Sequence, residues 1–401
     1  GAGVDVALID TGVAPVAGVG PVVYGPDLSF DGPLPGFTNL DAYGHGTHLA
    51  GIINGDTPQA PGLAPGARVV NIKVGAADGA VDISQVIAGI DWAVQHRNDN
   101  GMNIRVLLLA YGTDSTQAYD IDPLAAAVEN AWRNGIVVVA AAGNRGAATP
   151  SLDNPALDPW VLAVGASETN GTYSTSDDTM APFSNGATNG RNADVVAPGR
   201  SIVSLRVPGG YVDAEHPEGR VGPDLFRGSG TSQAAAVVAA GAALLLDDRP
   251  ELTPDQVKYL LEQTARPLRY QDADLRQGAG VIDISRAMQM PTPRRGVATQ
   301  NFAPSTGAGS LEAARGSYHV ANPQGAVLTG ENTVWGGTSW SGTSWSGTSW
   351  SGTSWSGTSW SGTSWSGGGW TGTSWSGTSW SGGTWMGTSW SGTSWSGQSW
   401  S

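Results

Sequence analysis

The sequence predicts an α/β protein with a mostly parallel sheet flanked by helices on both faces, followed by a repetitive tail for which a β-rich arrangement is one reading. Three observations predict it. Short apolar runs, largely β-branched or leucine-rich, recur through residues 1–290. Helical patterns lie between them. All 54 charged residues precede Asn332, and the remaining 70 residues carry none.

The runs fall at residues 4–9, 68–74, 104–110, 136–140 and 161–164. Strands that are apolar along nearly their whole length must be covered on both faces, as in a parallel sheet. The helical patterns include 83–96 and 123–133, and a 13-residue apolar run at 234–246 reads as a buried helix, being too short to cross a bilayer. Residues 291–333, rich in Pro, Gly, Ala and Ser, read as a linker or an irregular wrap. From Trp335 to Trp400 a tryptophan falls at every fifth position, mostly within W-S-G-T-S, so 334–401 form a separate repeat tail.

Composition narrows the function. A length of 401 residues suits two or three domains. A formal charge of −14 argues against nucleic acid and against an anionic membrane surface. Cysteine is absent, which excludes disulfides and thiolate metal sites. The cations are 18 Arg and only two Lys, Lys73 and Lys258, a skew read as compositional.

In a parallel sheet the chemistry collects at the carboxyl ends of the strands. Asp10-Thr11-Gly12 follows the first run, and G-H-G-T-H-L-A-G-I, with His45 and His48, opens a helix. Asn144 ends A-A-G-N after the run at 136–140, and Ser232 in S-G-T-S-Q-A-A-A begins the long apolar helix. A serine nucleophile needs a base, an acid that orients the base, and donors aimed at the oxyanion. Taken singly, Asp10 is an ordinary cap, His45 a structural imidazole, Gly-Asn a turn and Ser232 an N-cap. An aspartic-protease dyad would need a second Asp-Thr/Ser-Gly, and none is present. Order and local context together favour catalysis.

With V-A-L-I-D-T-G-V, V-V-A-A-A-G-N and the His and Ser blocks in the order Asp, His, Ser, residues 1–290 resemble the subtilisin-like serine peptidases. D-P-W-V-L-A-V-G-A, P-F-S-N-G and D-V-V-A-P-G add weaker likeness. The resemblance implies Ser232 as nucleophile, His45 as general base and then acid, Asp10 as its orienting partner and Asn144 as oxyanion donor. His48 lies outside the triad and is expected to be structural. Ala110-Tyr111-Gly112 stands where the family pairs its backbone with substrate, so these three are expected to bind it, with Tyr111 shaping neighbouring subsites. Gln233-Ala234-Ala235-Ala236 replaces the usual Met-Ala-Ser/Ala-Pro, which should alter how the helix begins.

Many relatives hold a structural calcium with a longer amino-terminal arm and a longer loop after the His helix. Nine residues before Asp10 and a short loop at 55–61 imply that this site is missing. No cofactor is expected. Calcium elsewhere, for example at Asp177-Asp178, is allowed for without an identifiable site. A chain starting at Gly1 resembles a mature form, its leader and propeptide removed, which implies secretion, with cell-surface association one further reading.

Three readings of the tail stay open: ordered stacking or self-assembly, adhesion to cell-wall glycan, and a flexible linker. Two functions follow. One is a secreted endopeptidase acting on protein or peptide substrates, its tail an anchor or assembly module. The other is a surface or structural assembly protein whose peptidase domain serves mainly self-processing.

Overall fold

The computed structural model describes residues 1–320 apart from positions 35, 173, 189 and 269–273, and the backbone of 339–391 and 394–400. Eight strands form the main sheet: β1 (Asp5–Asp10), β2 (Val22–Asp27), β3 (Arg68–Lys73), β4 (Ile104–Leu109), β5 (Val137–Ala141), β6 (Leu162–Glu168), β7 (Thr179–Met180) and β8 (Val195–Pro198). Their order is β2-β3-β1-β4-β5-β6, with β8 parallel and β7 antiparallel to β6. β1 is buried throughout, because it lies between β3 and β4 and is covered above and below. The chain leaves β1 toward β3 and β2, then returns to build outward from β4. The order therefore reverses at β1 and β4, where a crevice opens at the strand ends.

Helices α1 (His45–Asn54), α2 (Ile83–Gln95) and α3 (Pro123–Arg133) follow β2, β3 and β4. Asp82 caps α2 in a reciprocal box with Gln85, and Asp122 caps α3 ahead of Pro123. After β9 (Ile202–Leu205), α4 (Tyr211–Glu215), β10 (Arg220–Val221) and β11 (Leu225–Gly228) comes α5 (Thr231–Asp248). The apolar run at 234–246 lies inside α5, which packs across β4, β5, β6 and β8 and against α1. α2 and α3 pack together, contacting β1 and β5 respectively. Strands β2 and β8 escape the sequence pattern for identifiable reasons. β2 is a half-exposed edge strand containing Gly25 and Pro26, and β8 is four residues ending in Pro198.

α6 (Pro254–Thr264) and α7 (Ile284–Gln289) close the domain. The chain then runs back across it through α8 (Arg295–Ala298) and α9 (Leu311–Arg315). Trp160 meets Phe302 edge to face at 6.2 Å, the N–H of Ser305 donates to Glu129 at 2.7 Å, and that of Ser310 donates to Gln117 at 2.8 Å. Residues 321–333 of the expected linker or wrap lie outside the described residues, as does part of the tail.

In the tail, strands β12 (Ser339–Ser391) and β13 (Ser394–Trp400) run parallel, with Trp380 opposite Trp395 and Trp385 opposite Trp400. Parallel pairing between positions 15 residues apart requires the backbone to wind back on itself, here by three pentads.

Both lysines are buried, so compositional skew does not account for them. Lys73 donates to the carbonyls of Thr11 at 2.9 Å and Gly75 at 2.7 Å and pairs with Asp31 at 3.5 Å. Lys258 donates to the carbonyls of Pro159 and Val161 and pairs with Asp194 at 3.3 Å. An ammonium has three donors and no acceptor, which suits a cluster of carbonyls at strand ends. Lys73→Met should leave two carbonyls and the Asp31 carboxylate without their cation, at a cost of about 3–5 kcal/mol. Urea unfolding measures this, and a change below about 1 kcal/mol would show that Lys73 is not needed there.

Candidate active site

Asp10 is the last residue of β1 and His45 the first of α1. The helix approaches the β1 exit so closely that a Cβ on Gly46 would lie 2.2 Å from the Gly12 carbonyl, so only glycine fits there. This contact brings His45 Nδ1 to 2.8 and 3.0 Å from the two carboxylate oxygens of Asp10. A carboxylate only accepts, so Nδ1 carries the proton and the neutral ring's Nε2 is left able to accept one. Burial opposes a charge on the imidazole, but the charge and hydrogen bond of Asp10, with Asp41 behind it, outweigh burial. The His45 pKa is raised above its ordinary 6.5.

Asp41 was not singled out in the sequence. It is fully buried and accepts from Thr11 Oγ1 at 2.9 Å, Gly44 N at 2.7 Å, Thr47 N at 2.8 Å and Thr47 Oγ1 at 2.7 Å. It thereby joins the β1 exit to the first turn of α1. The signal available was an aspartate just ahead of G-H-G, with a threonine two residues beyond the histidine. His48, one turn along α1, is buried; burial and then the His45 charge push its pKa down to about 4. It remains neutral at pH 7 and contributes packing.

Ser232 is the second residue of α5. Its N–H belongs to the first helical turn, whose donors lack intrahelical acceptors and carry the positive end of the helix dipole. Asn144 follows β5 through Gly143, whose φ is +106° and whose Cβ position lies 2.2 Å from Asn185 Nδ2. The Asn144 Oδ1 accepts from Thr231 N at 2.8 Å and Thr231 Oγ1 at 3.0 Å. Those two donors orient the amide, leaving its NH₂ available. Thr231, also missed in the sequence, accepts from Gly143 N at 3.1 Å as well, and so locks the β5 exit onto α5.

Ser232 and Asn144 line one cavity of about 400 Å³ with Ala110, Tyr111, Gly112, Gly143, Arg145, Asp153 and Tyr318. Residues 110–112 continue beyond the last ladder pairs of β4, Leu109 with Ile9 and with Ala140. Burial raises the Tyr111 pKa, so its phenol stays neutral. Arg145 and Asp153 form an ion pair in the cavity, and Asn185 donates to Asp153 at 2.9 Å. Gln233 lies on the other side and lines a smaller cavity of about 60 Å³ with His45 and His48. α5 begins without a proline and runs unbroken.

Among the described residues, the Ser232 hydroxyl donates to the Ala110 carbonyl at 3.3 Å, with no hydrogen bond to His45. Loose nucleophile–base contacts are common when substrate is absent. Also among the described residues, no group of three His, Asp or Glu side chains is gathered as for a metal ion.

Residues 1–280 match the sequence model of the subtilase family. The chain is 37% identical to serine protease AprX of Bacillus subtilis (strain 168), with 72% of this chain and 66% of that protein covered. It is 33% identical to subtilisin DY of Bacillus licheniformis, over 72% of this chain and 92% of that one. Fervidolysin from Fervidobacterium pennivorans, a keratinolytic enzyme, superposes with a TM-score of 0.57 at 28% identity, over 73% of this chain and 43% of that one.

His45 must be neutral to accept a proton, and its raised pKa moves that requirement upward. The acid limb of kcat/KM on a small peptide should therefore inflect above pH 6.5. Asp10→Asn should shift it downward while slowing turnover. An inflection below pH 6 in the unaltered protein would contradict the pairing.

Proposed function

Because this chain belongs to the subtilase family and is a subtilisin-like serine endopeptidase, we propose that Asp10, His45 and Ser232 form its catalytic triad. The observation that carries this reading is the Asp10–His45 pair at 2.8 Å, beside a helix-borne serine that shares a cavity with Asn144. On substrate binding the Ser232 hydroxyl turns from Ala110 toward His45 Nε2. Its oxygen attacks the scissile carbonyl as its proton passes to Nε2, and Asp10 stabilises the resulting imidazolium. The oxyanion accepts from the Asn144 amide and the Ser232 N–H. The protonated His45 then gives its proton to the leaving amine. Water, deprotonated by the same imidazole, releases the acyl group and restores the hydroxyl.

The substrates are proteins or peptides bound along Ala110-Tyr111-Gly112. We place the enzyme outside the cell, where subtilases commonly act; among the described residues no helix is long and apolar enough to cross a membrane.

Ser232→Ala and His45→Ala should reduce hydrolysis of a denatured protein to a small residual. Asn144→Ala should fold and lose about 10²–10³ in turnover, the loss that removing one oxyanion donor causes in subtilisin itself. Wild-type rates in the Asn144 variant would remove it from the oxyanion role.

The tail is proposed as a module for assembly or surface attachment. Supporting this, the parallel register sets tryptophan opposite tryptophan, and the tail carries no charge to repel another copy. Truncation after Glu331 should leave small-peptide hydrolysis within about twofold while abolishing assembly in light scattering or retention on cell-wall material. A truncated chain that assembles as the full one does would assign assembly to the catalytic domain.

A further inference from the structure

The carboxy-terminal segment after α8 ends at the mouth of the Ser232 cavity, and it is held there on two sides. On one side Arg315, 2% exposed, donates from Nε to Asp82, the cap of α2, at 2.7 Å. On the other, Thr113 Oγ1 donates to the Ala314 carbonyl at 2.6 Å and Ser115 Oγ to the Ala313 carbonyl at 2.8 Å. The Ser317 N–H and hydroxyl each donate to Asp114 at 2.6 Å. Residues 113–115 directly follow the substrate-binding stretch 110–112. The strap is thus fixed to the cavity rim immediately before Tyr318, which is 47% exposed and lines the cavity.

The position of the cavity states what enters it. A carbonyl held between Asn144 and the Ser232 N–H must project the side chain of its own residue between the 110–112 and 143–145 walls. Those walls end in the Arg145–Asp153 ion pair, and Tyr318 supplies the one aromatic ring contributed from outside residues 1–290. We propose that Tyr318 is a specificity-determining residue: its ring forms the outer wall of the pocket for the residue that donates the scissile carbonyl, and it favours large aromatic side chains there. A volume of about 400 Å³ admits such a side chain. A phenol ring offers offset or edge contacts to another ring, whereas a methyl side chain gains nothing from it. Burial, and then the charges of Asp153 and Asp114, raise the Tyr318 pKa, so the ring stays neutral through the working range. This proposal rests on the triad reading, because that reading makes the cavity the acyl-side pocket.

The test compares kcat/KM on two small peptide substrates that differ only in Phe or Ala before the scissile bond, using the full chain. Tyr318→Ala should lower the Phe-to-Ala ratio about tenfold, chiefly through KM for the Phe substrate. Tyr318→Phe should keep the ratio within about twofold of wild type. An unchanged ratio in Tyr318→Ala, or one that rises because the ring obstructs the pocket, overturns the wall. Equal loss on both substrates also overturns it, since a merely structural role would act in that way. Hydrolysis that survives in Ser232→Ala would instead overturn the triad reading, so the two failures are distinguishable.

Discussion

A fully buried carboxylate, Asp41, sets the geometry on which the active site depends. It spends all its acceptor capacity on Thr11, Gly44 and Thr47, and so ties the end of the central strand to the start of α1. Burial raises its pKa, and the hydrogen bonds from Thr47, Gly44 and Thr11 oppose the rise. With the Gly46 N–H donating to Thr11 Oγ1 at 3.0 Å and the Ala14 N–H donating to Thr47 Oγ1 at 2.9 Å, that tie holds the first turn of α1 against the β1 exit, where His45 meets Asp10. A hydrogen bond between two side chains on separate elements is only as accurate as the backbone that carries them.

The same logic repeats across the crevice. Thr231 does for β5 and α5 what Asp41 does for β1 and α1, by binding both Gly143 and Asn144. Lys73 gathers the carbonyls of Thr11 and Gly75 from below. The proposed catalytic groups therefore sit on strand ends and helix starts, and neighbouring polar groups hold the spacing between them. Each of these groups is buried and satisfied, so removing one partner would leave another exposed to the full cost of desolvation.

The strap after α8 has a different character. It adds little to the apolar core and is held by polar contacts to capping and rim residues, Asp82, Asp114, Glu129 and Gln117. The Arg315–Asp82 pair among them is buried, whereas Asp114 holds Ser317 at the exposed rim, so together they fix the strap's position. Its placement joins two parts of the chain that composition separates, because the segment leading to the uncharged repeat borders the Ser232 cavity.

The fold class was legible in the chain, and Asp10, His45, Asn144 and Ser232 stood out as candidates through the order and context of their motifs, though singly each reads as an ordinary structural residue. Continuous apolar runs report burial on both faces, and glycine-flanked polar residues at strand ends and helix starts report where the backbone is exposed for chemistry. The edge strand β2 and the four-residue β8 were not legible, because one is half exposed and the other too short to show a period. Asp41 and Thr231 look like ordinary polar residues until the fold buries them among particular donors. Lys73 and Lys258 looked like remnants of a skewed composition, and only the assembled strand ends show the carbonyls they satisfy. Arg145 pairing with Asp153, and Tyr318 reaching the same cavity from 86 residues beyond Ser232, are contacts between distant segments. Sequence by itself determined which groups are present and on what local element each rides. Which of them meet was decided by tertiary structure alone, because sheet order and helix packing, rather than spacing along the chain, set the distances between them.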